Sequence, residues 1–401
     1  MSLVAISAEA AAQGGIGVEA RSLSFEIAQS LADVETLWRA FESEAIASPY
    51  QRFDWVRAYV DAFSGTADAL RVVVLRDETG RPLMLLPLVL SRRHGFRIAA
   101  SVGGKHANFN MPLMRRGFAQ SLTAERAQAI LREIGRQLGA DALAIPHMPV
   151  TWRGEPNPFA AGGRPSPSNG YRLRLDPDAD ATLTRASSGS TRKKRRNKER
   201  GLAKLGEVAV LEGRTEADVD LILGEFLRQK RRRFLELGIT DPFVEPEAQA
   251  FLRRACLDGL VDGRHAIEVY ALTLDGTVVA VLGGAGDRER LSGMFISFDA
   301  ADEVARLSPG EILVAQVIAL QCARDRSVFD LGVGEARYKL VFCDELDELV
   351  DLVLPTSLLG RIYAAVVGVG IDAKRRVKAS PHAMRLVALV RRARSATAPA
   401  E

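Results

Sequence analysis

The richest cluster of reactive residue types is the run Val328-Phe329-Asp330-Leu331-Gly332-Val333-Gly334, followed shortly by Arg337-Tyr338-Lys339. A β-branched and aromatic run that ends in two glycines reads as a strand opening into a loop, and strand ends of open α/β sheets are where ligands usually sit. Asp330 could accept a proton from an incoming nucleophile, while Lys339 could stabilise a developing oxyanion or hold a phosphate. Arg337 completes the group as a substrate contact and Tyr338 as a third candidate catalytic residue. Each has a plainer reading: a capped turn or surface ion pair for Asp330, a solvated Lys339, and for Tyr338 a core aromatic with its hydroxyl at the rim.

Just upstream, Arg306-Leu307-Ser308-Pro309-Gly310-Glu311 opens a run that is apolar nearly all round, Ile312 to Leu320, and so predicts a buried helix. Ser308 at the N-cap, Pro309 in the first turn and Glu311 at N3 predict a capping box. Gly310 would also let an anion approach the N–H groups of the helix start, with Arg306 and Ser308 beside it. Glu311 opposes that, because it places a negative charge where an anion would bind. In the first half, Asn108 and Asn110 of GGKHANFNMPL follow a strand. They could contact a polar acceptor such as a sugar, or serve only as turn formers.

Two sets of elements must hold these residues. SFEIA reads as a strand, Asp33 to Glu44 and Phe53 to Phe63 as helices, and RVVVL and LMLLPLVL as antiparallel strands around the turn DETGRP. A strand near Phe96 to Val102, a helix Thr123 to Leu138 and the extended DALAIPHM follow. The order then recurs: EVAVLEG, helices Ala217 to Leu237 and Glu245 to Gly259, three strands between His265 and Asp299, a helix Ile312 to Arg324 and the strand VFDLGV. At 401 residues a duplicated module is expected. The fold class is α/β (α+β), with two tandem domains, each a mixed and mostly antiparallel sheet flanked by helices. The expected division is a tail at 1–22, a domain at 23–175, a basic connecting helix at 176–205, a second domain at 206–352 and a basic tail at 353–401.

With 47% hydrophobic and 26% charged residues the chain reads as globular. Its formal charge of +4 conceals two basic blocks: residues 192–200 hold seven bases against one acid, and residues 374–401 eight against one, so the remainder is acidic. Such blocks grip phosphate-bearing partners or anionic membranes, or are solvated helix faces. The apolar run IYAAVVGVGI before the second block suits either a membrane surface or packing against the second domain. Three cysteines without CxxC spacing imply neither a disulfide framework nor a zinc site, and no metal is expected. No signal-peptide pattern opens the sequence, so a cytoplasmic location is expected.

Taken together, SPG, a buried helix, FDLGVG and then YK resemble the FemAB-like branch of the GNAT superfamily, including acetyltransferases associated with cellulose and exopolysaccharide synthesis. The resemblance extends to Ser48-Pro49-Tyr50-Gln51 with Trp55, and to Arg192, Arg195 and Arg196, and it covers roughly residues 25–345. It implies a duplicated GNAT fold and transfer of an acyl group from acetyl-CoA or another acyl-CoA to a sugar, amine or glycan precursor. The family's pyrophosphate loop, Gln/Arg-x-x-Gly-x-Gly/Ala, is absent, and Arg306 to Gly310 stands in its place. Related peptidoglycan-bridge enzymes use aminoacyl-tRNA, which would give the 192–200 run an RNA to hold. A third reading is a non-catalytic scaffold of a polysaccharide-synthesis complex.

Overall fold

The computed structural model describes residues 4–5, 23–238, 241–298 and 302–380. The expected tail at 1–22 and the last part of the expected basic tail, 381–401, therefore lie almost wholly outside the described residues. The chain divides into two compact units: residues 1–166 with 348–371, and residues 167–347 with 372–401.

The first unit is built on β1 (Ser24–Ala28), β2 (Leu70–Arg76), β3 (Pro82–Arg93), β4 (Phe96–Ser101) and β5 (Ala142–Pro149), with helices α1 (Glu35–Glu42), α2 (Phe53–Ala62) and α3 (Ala124–Gln137). Strands β1 to β4 form an antiparallel meander, and β5 then joins parallel to β4, with Ile98 opposite Ala142. A parallel neighbour needs a crossover, which α3 supplies. Helix α3 is amphipathic, so Ala127, Ile130, Leu131 and Ile134 form its buried stripe. The stripe expected on α2 is real: Trp55 is fully buried, and Tyr59 stacks between it and Phe63.

The second unit repeats that plan. It contains β6 (Gly170–Arg174), α4 (Ala179–Ala186), α5 (Gly189–Ala203), β7 (Val208–Glu212), α6 (Glu216–Leu237), α7 (Pro246–Leu257), β8 (Ile267–Leu274), β9 (Thr277–Gly286), β10 (Arg290–Phe298), α8 (Pro309–Ala323), β11 (Val328–Val333) and β12 (Glu345–Asp347). Strands β7 to β10 make the antiparallel meander, and β11 pairs parallel with β10 after the α8 crossover. The β8–β9 hairpin turns at Asp275-Gly276, where both residues take positive φ as a tight two-residue hairpin requires. As its composition predicts, α8 is buried on most of its circumference, and it packs on β8, β9 and β10.

Each sheet includes, near one edge, a strand that the element order does not announce. Strand β6 follows the first half in sequence, yet it pairs antiparallel with β11 and β12 of the second sheet. Conversely, β13 (Leu349–Pro355) follows the second half and pairs antiparallel with β5 of the first sheet. After it the chain forms a long helix, α9 (Leu358–Ala379).

Candidate active site

Strand β11 is central, so both of its faces are buried: Phe329 and Leu331 enter the core on one side, and Asp330 points to the other with no exposure at all. A carboxylate there must find donors. Parallel pairing sets Ser292 opposite Asp330, and Ser292 Oγ donates to Asp330 Oδ1 at 2.9 Å. The Gly332 N–H donates to the same oxygen at 2.8 Å. Arg290, two residues before Ser292 and hence on the same strand face, lies 3.5 Å from Asp330 Oδ2 and 3.2 Å from Asp347 Oδ2. Arg172 on β6 closes the chain, pairing with Asp347 and with Glu345. Burial pushes the Asp330 carboxyl up to about 6, against the opposing pull of Arg290.

Lys339 begins a short helix, Lys339–Phe342, and is buried. Its Nζ donates to the Gly332 and Val333 carbonyls at 3.2 and 3.0 Å, and lies 5.8 Å from the centre of the Tyr171 ring. Burial pulls this ammonium down to about 8. Gly332 thus serves two side chains, its N–H binding Asp330 and its carbonyl accepting from Lys339. It adopts φ 72°, a conformation that glycine takes without strain. Tyr338 is half-buried against the second unit's core, its hydroxyl pushed up to about 12 by burial. Arg337 is exposed. The structure therefore brings Asp330 and Lys339 together through Gly332 near the end of β11, with the Lys339 ammonium held by backbone carbonyls, while Tyr338 packs on the core.

The capping box expected at Ser308 and Glu311 is not formed. Ser308 sits in the left-handed region at φ 52°, and its side chain caps no N–H group. Lys198, from the basic helix α5, takes both partners instead: its Nζ donates to Ser308 Oγ at 2.8 Å and to Glu311 Oε2 at 2.7 Å. The negative charge that argued against an anion at this helix start is thereby neutralised. Packing does not demand glycine at 310, because an added Cβ would meet only Ile296 and Phe298 at ordinary contact distance. Arg306, one turn earlier, is exposed.

A reciprocal capping box does exist in the first unit, at Ser48 and Gln51. Ser48 Oγ and Gln51 Nε2 both donate to the Phe109 carbonyl, at 3.1 and 3.0 Å. This arrangement fixes the loop that carries both asparagines. Asn108 Nδ2 donates to the Tyr50 hydroxyl at 2.7 Å, and Asn110 Nδ2 to the Pro146 carbonyl at 2.9 Å. Both amides are engaged by their own unit, away in sequence and in unit from Asp330 and Lys339.

Sequence reasoning missed Lys198, Arg290, Ser292 and Asp347. A signal existed for two of them: Arg290 and Ser292 recur with period two in an otherwise apolar strand. For Asp347, reached through long-range pairing, there was none.

Residues 189–340 match the family model of the acetyltransferase (GNAT) domain, a span that begins with α5 and includes α8, β11 and Lys339. The match identifies an acetyltransferase (GNAT) domain within the second unit. Among solved structures, FemX aligns over 83% of this chain and 98% of its own, with TM-score 0.56 at 10% identity. A conserved protein of unknown function from Bacteroides thetaiotaomicron VPI-5482 aligns over 81% and 97%, with TM-score 0.51 at 11% identity. The C-terminal domain of a putative lysylphosphatidylglycerol synthetase from Agrobacterium fabrum aligns over 85% and 97%, with TM-score 0.50 at 14% identity. At such identities the likeness is one of fold. No curated protein matches the sequence.

Proposed function

We propose that the protein transfers an acyl group from acetyl-CoA, or another acyl-CoA, to an amine or hydroxyl of a sugar or glycan precursor on the cytoplasmic side of envelope or exopolysaccharide synthesis. The observation that carries the donor assignment is Lys198 bound to Ser308 and Glu311. It leaves the start of α8 free of net negative charge, so that the positive end of the helix dipole favours a pyrophosphate there, although the Glu311 and Ile312 N–H groups already donate to the Ser308 carbonyl. Near the end of β11, Lys339 opposes negative charge that develops on the carbonyl oxygen under attack, and Asp330 in its ionised form takes the proton leaving the acceptor. Arg337 and the asparagines 108 and 110 remain our candidates for acceptor contacts, and Arg306 for a donor contact. The domain division stated from the sequence remains a proposal of the same standing.

Thermal unfolding with and without acetyl-CoA tests this reading. Ligand at 100 times its Kd adds about 2.7 kcal/mol, which raises Tm by several degrees. Lys198→Ala exposes the Glu311 charge and is expected to weaken acetyl-CoA binding about tenfold. Adding Glu311→Gln should restore most of the affinity. Equal affinity in all three proteins would move the donor site elsewhere.

A second reading, with aminoacyl-tRNA as donor, draws on how α5 divides its bases. Arg192, bound to the Thr184 and Ser187 carbonyls, Arg195, paired with Glu199, and Lys198 form an inward stripe. Lys193, Lys194, Arg196 and Arg200 are exposed and leave a basic outer face. Reversing those four charges would abolish RNA binding and activity together on this reading, and would leave turnover with acetyl-CoA unchanged on the first.

A further inference from the structure

Helix α9 seats its small side and exposes its large one. Gly360 and Gly368 are its buried residues, and their backbone approaches the first unit closely: a Cβ on Gly360 would fall 1.7 Å from the Asp141 carbonyl oxygen, and one on Gly368 would fall 2.6 Å from Arg164 Nε. At Gly360, where the neighbour is backbone, only glycine permits such contact. The opposite face carries Leu358, Leu359, Ile362, Val366, Val369 and Val377, all exposed, with Leu358 at 75% and Val369 at 71%. Leu359, Ile362, Val366 and Val369 follow one another at three to four residues, with Leu358 and Val377 on the same side, which makes a stripe and not the scattered apolar side chains of an ordinary surface.

Arg376 lies within this stripe, and Arg361 and Lys374 border it; all three are exposed, while the helix's one acid, Asp372, lies near Arg375 on the other side. A second copy of the helix offers these bases no counter-charge, since its one acid, Asp372, already lies near Arg375. A surface of anionic lipid headgroups supplies the missing counter-charge and takes the apolar side chains into its acyl boundary. Among the described residues no helix is long and apolar enough to cross a membrane, so the contact is one of lying on the surface.

We infer that the outward face of α9 docks the protein on an anionic membrane, a property independent of the acyl-transfer reading. The test is flotation of the full-length protein with vesicles of phosphatidylcholine alone or mixed with phosphatidylglycerol. Salt of about 0.1 M and about 1 M shortens the screening length from roughly 10 to 3 Å. The wild type is expected to float with the mixed vesicles at low salt and to be released at high salt. Neutralising two bases, Lys374→Gln with Arg376→Gln, should lower partitioning about thirtyfold. Val366→Asp with Val369→Asp, both at exposed positions, should abolish it while the melting curve stays unchanged. The inference is overturned if the wild type stays at the bottom with both vesicle types, or if both double variants float like the wild type. It is equally overturned if the Val366→Asp, Val369→Asp protein differs from the wild type only by converting a dimer into a monomer.

Discussion

Replacing Lys339 with alanine is expected to lower turnover about a hundredfold, the order that loss of one preorganised charge stabiliser costs. Two carbonyls lose their donor in this variant, so a modest drop in Tm should accompany the loss, with the protein still folded. The pH profile separates catalysis from structure. If Asp330 acts ionised and Lys339 protonated, the rate rises as pH passes about 6 and falls again as it passes about 8. The Lys339→Ala enzyme should lose the alkaline limb and keep the acid one. Turnover unchanged by the substitution, or an alkaline limb that survives it, would remove Lys339 from the chemistry.

The largest effect on stability is expected at Arg290. It is buried between Asp330 and Asp347, which are also buried, so Arg290→Ala leaves two interior carboxylates short of counter-charge. Breaking a buried ion pair from one side costs about 3–5 kcal/mol, readily measured by urea unfolding. The pH dependence has a definite sign. Asp330 is raised from 3.8 to about 6, so its contribution to stability is complete below 3.8 and is lost as pH climbs through about 6. Without Arg290 that carboxyl should titrate higher still, and the loss should extend to higher pH. A cost below about 1 kcal/mol would reduce the network to the rank of a surface ion pair.

Much of the fold was legible because its elements are local. The β-branched and apolar runs RVVVL and VFDLGV, the apolar circumference of α8 and the Asp275-Gly276 turn each announce themselves within a few residues. The site was legible in part, since glycines and charged residues after a strand mark a place where the backbone opens. What escaped was set by distance. Lys198 lies 110 residues before Ser308, and nothing local to Ser308-Pro309-Gly310-Glu311 reveals that a lysine will displace its capping box. Likewise the apolar run in α9 leaves a membrane surface and packing as alternatives, because composition does not reveal that the glycines are the ones turned inward.

The placement of β13 in the sheet of the first unit bears on how the chain can be made. Synthesis runs from the N-terminus, and domains generally fold as they emerge. Here β5 must wait for Leu349–Pro355 before its open edge is covered, so the first sheet is incomplete until nearly the whole second unit has left the ribosome. Its exposed edge is a hazard for that interval. A gene truncated between the two halves would yield not a smaller enzyme but a sheet with an unprotected border.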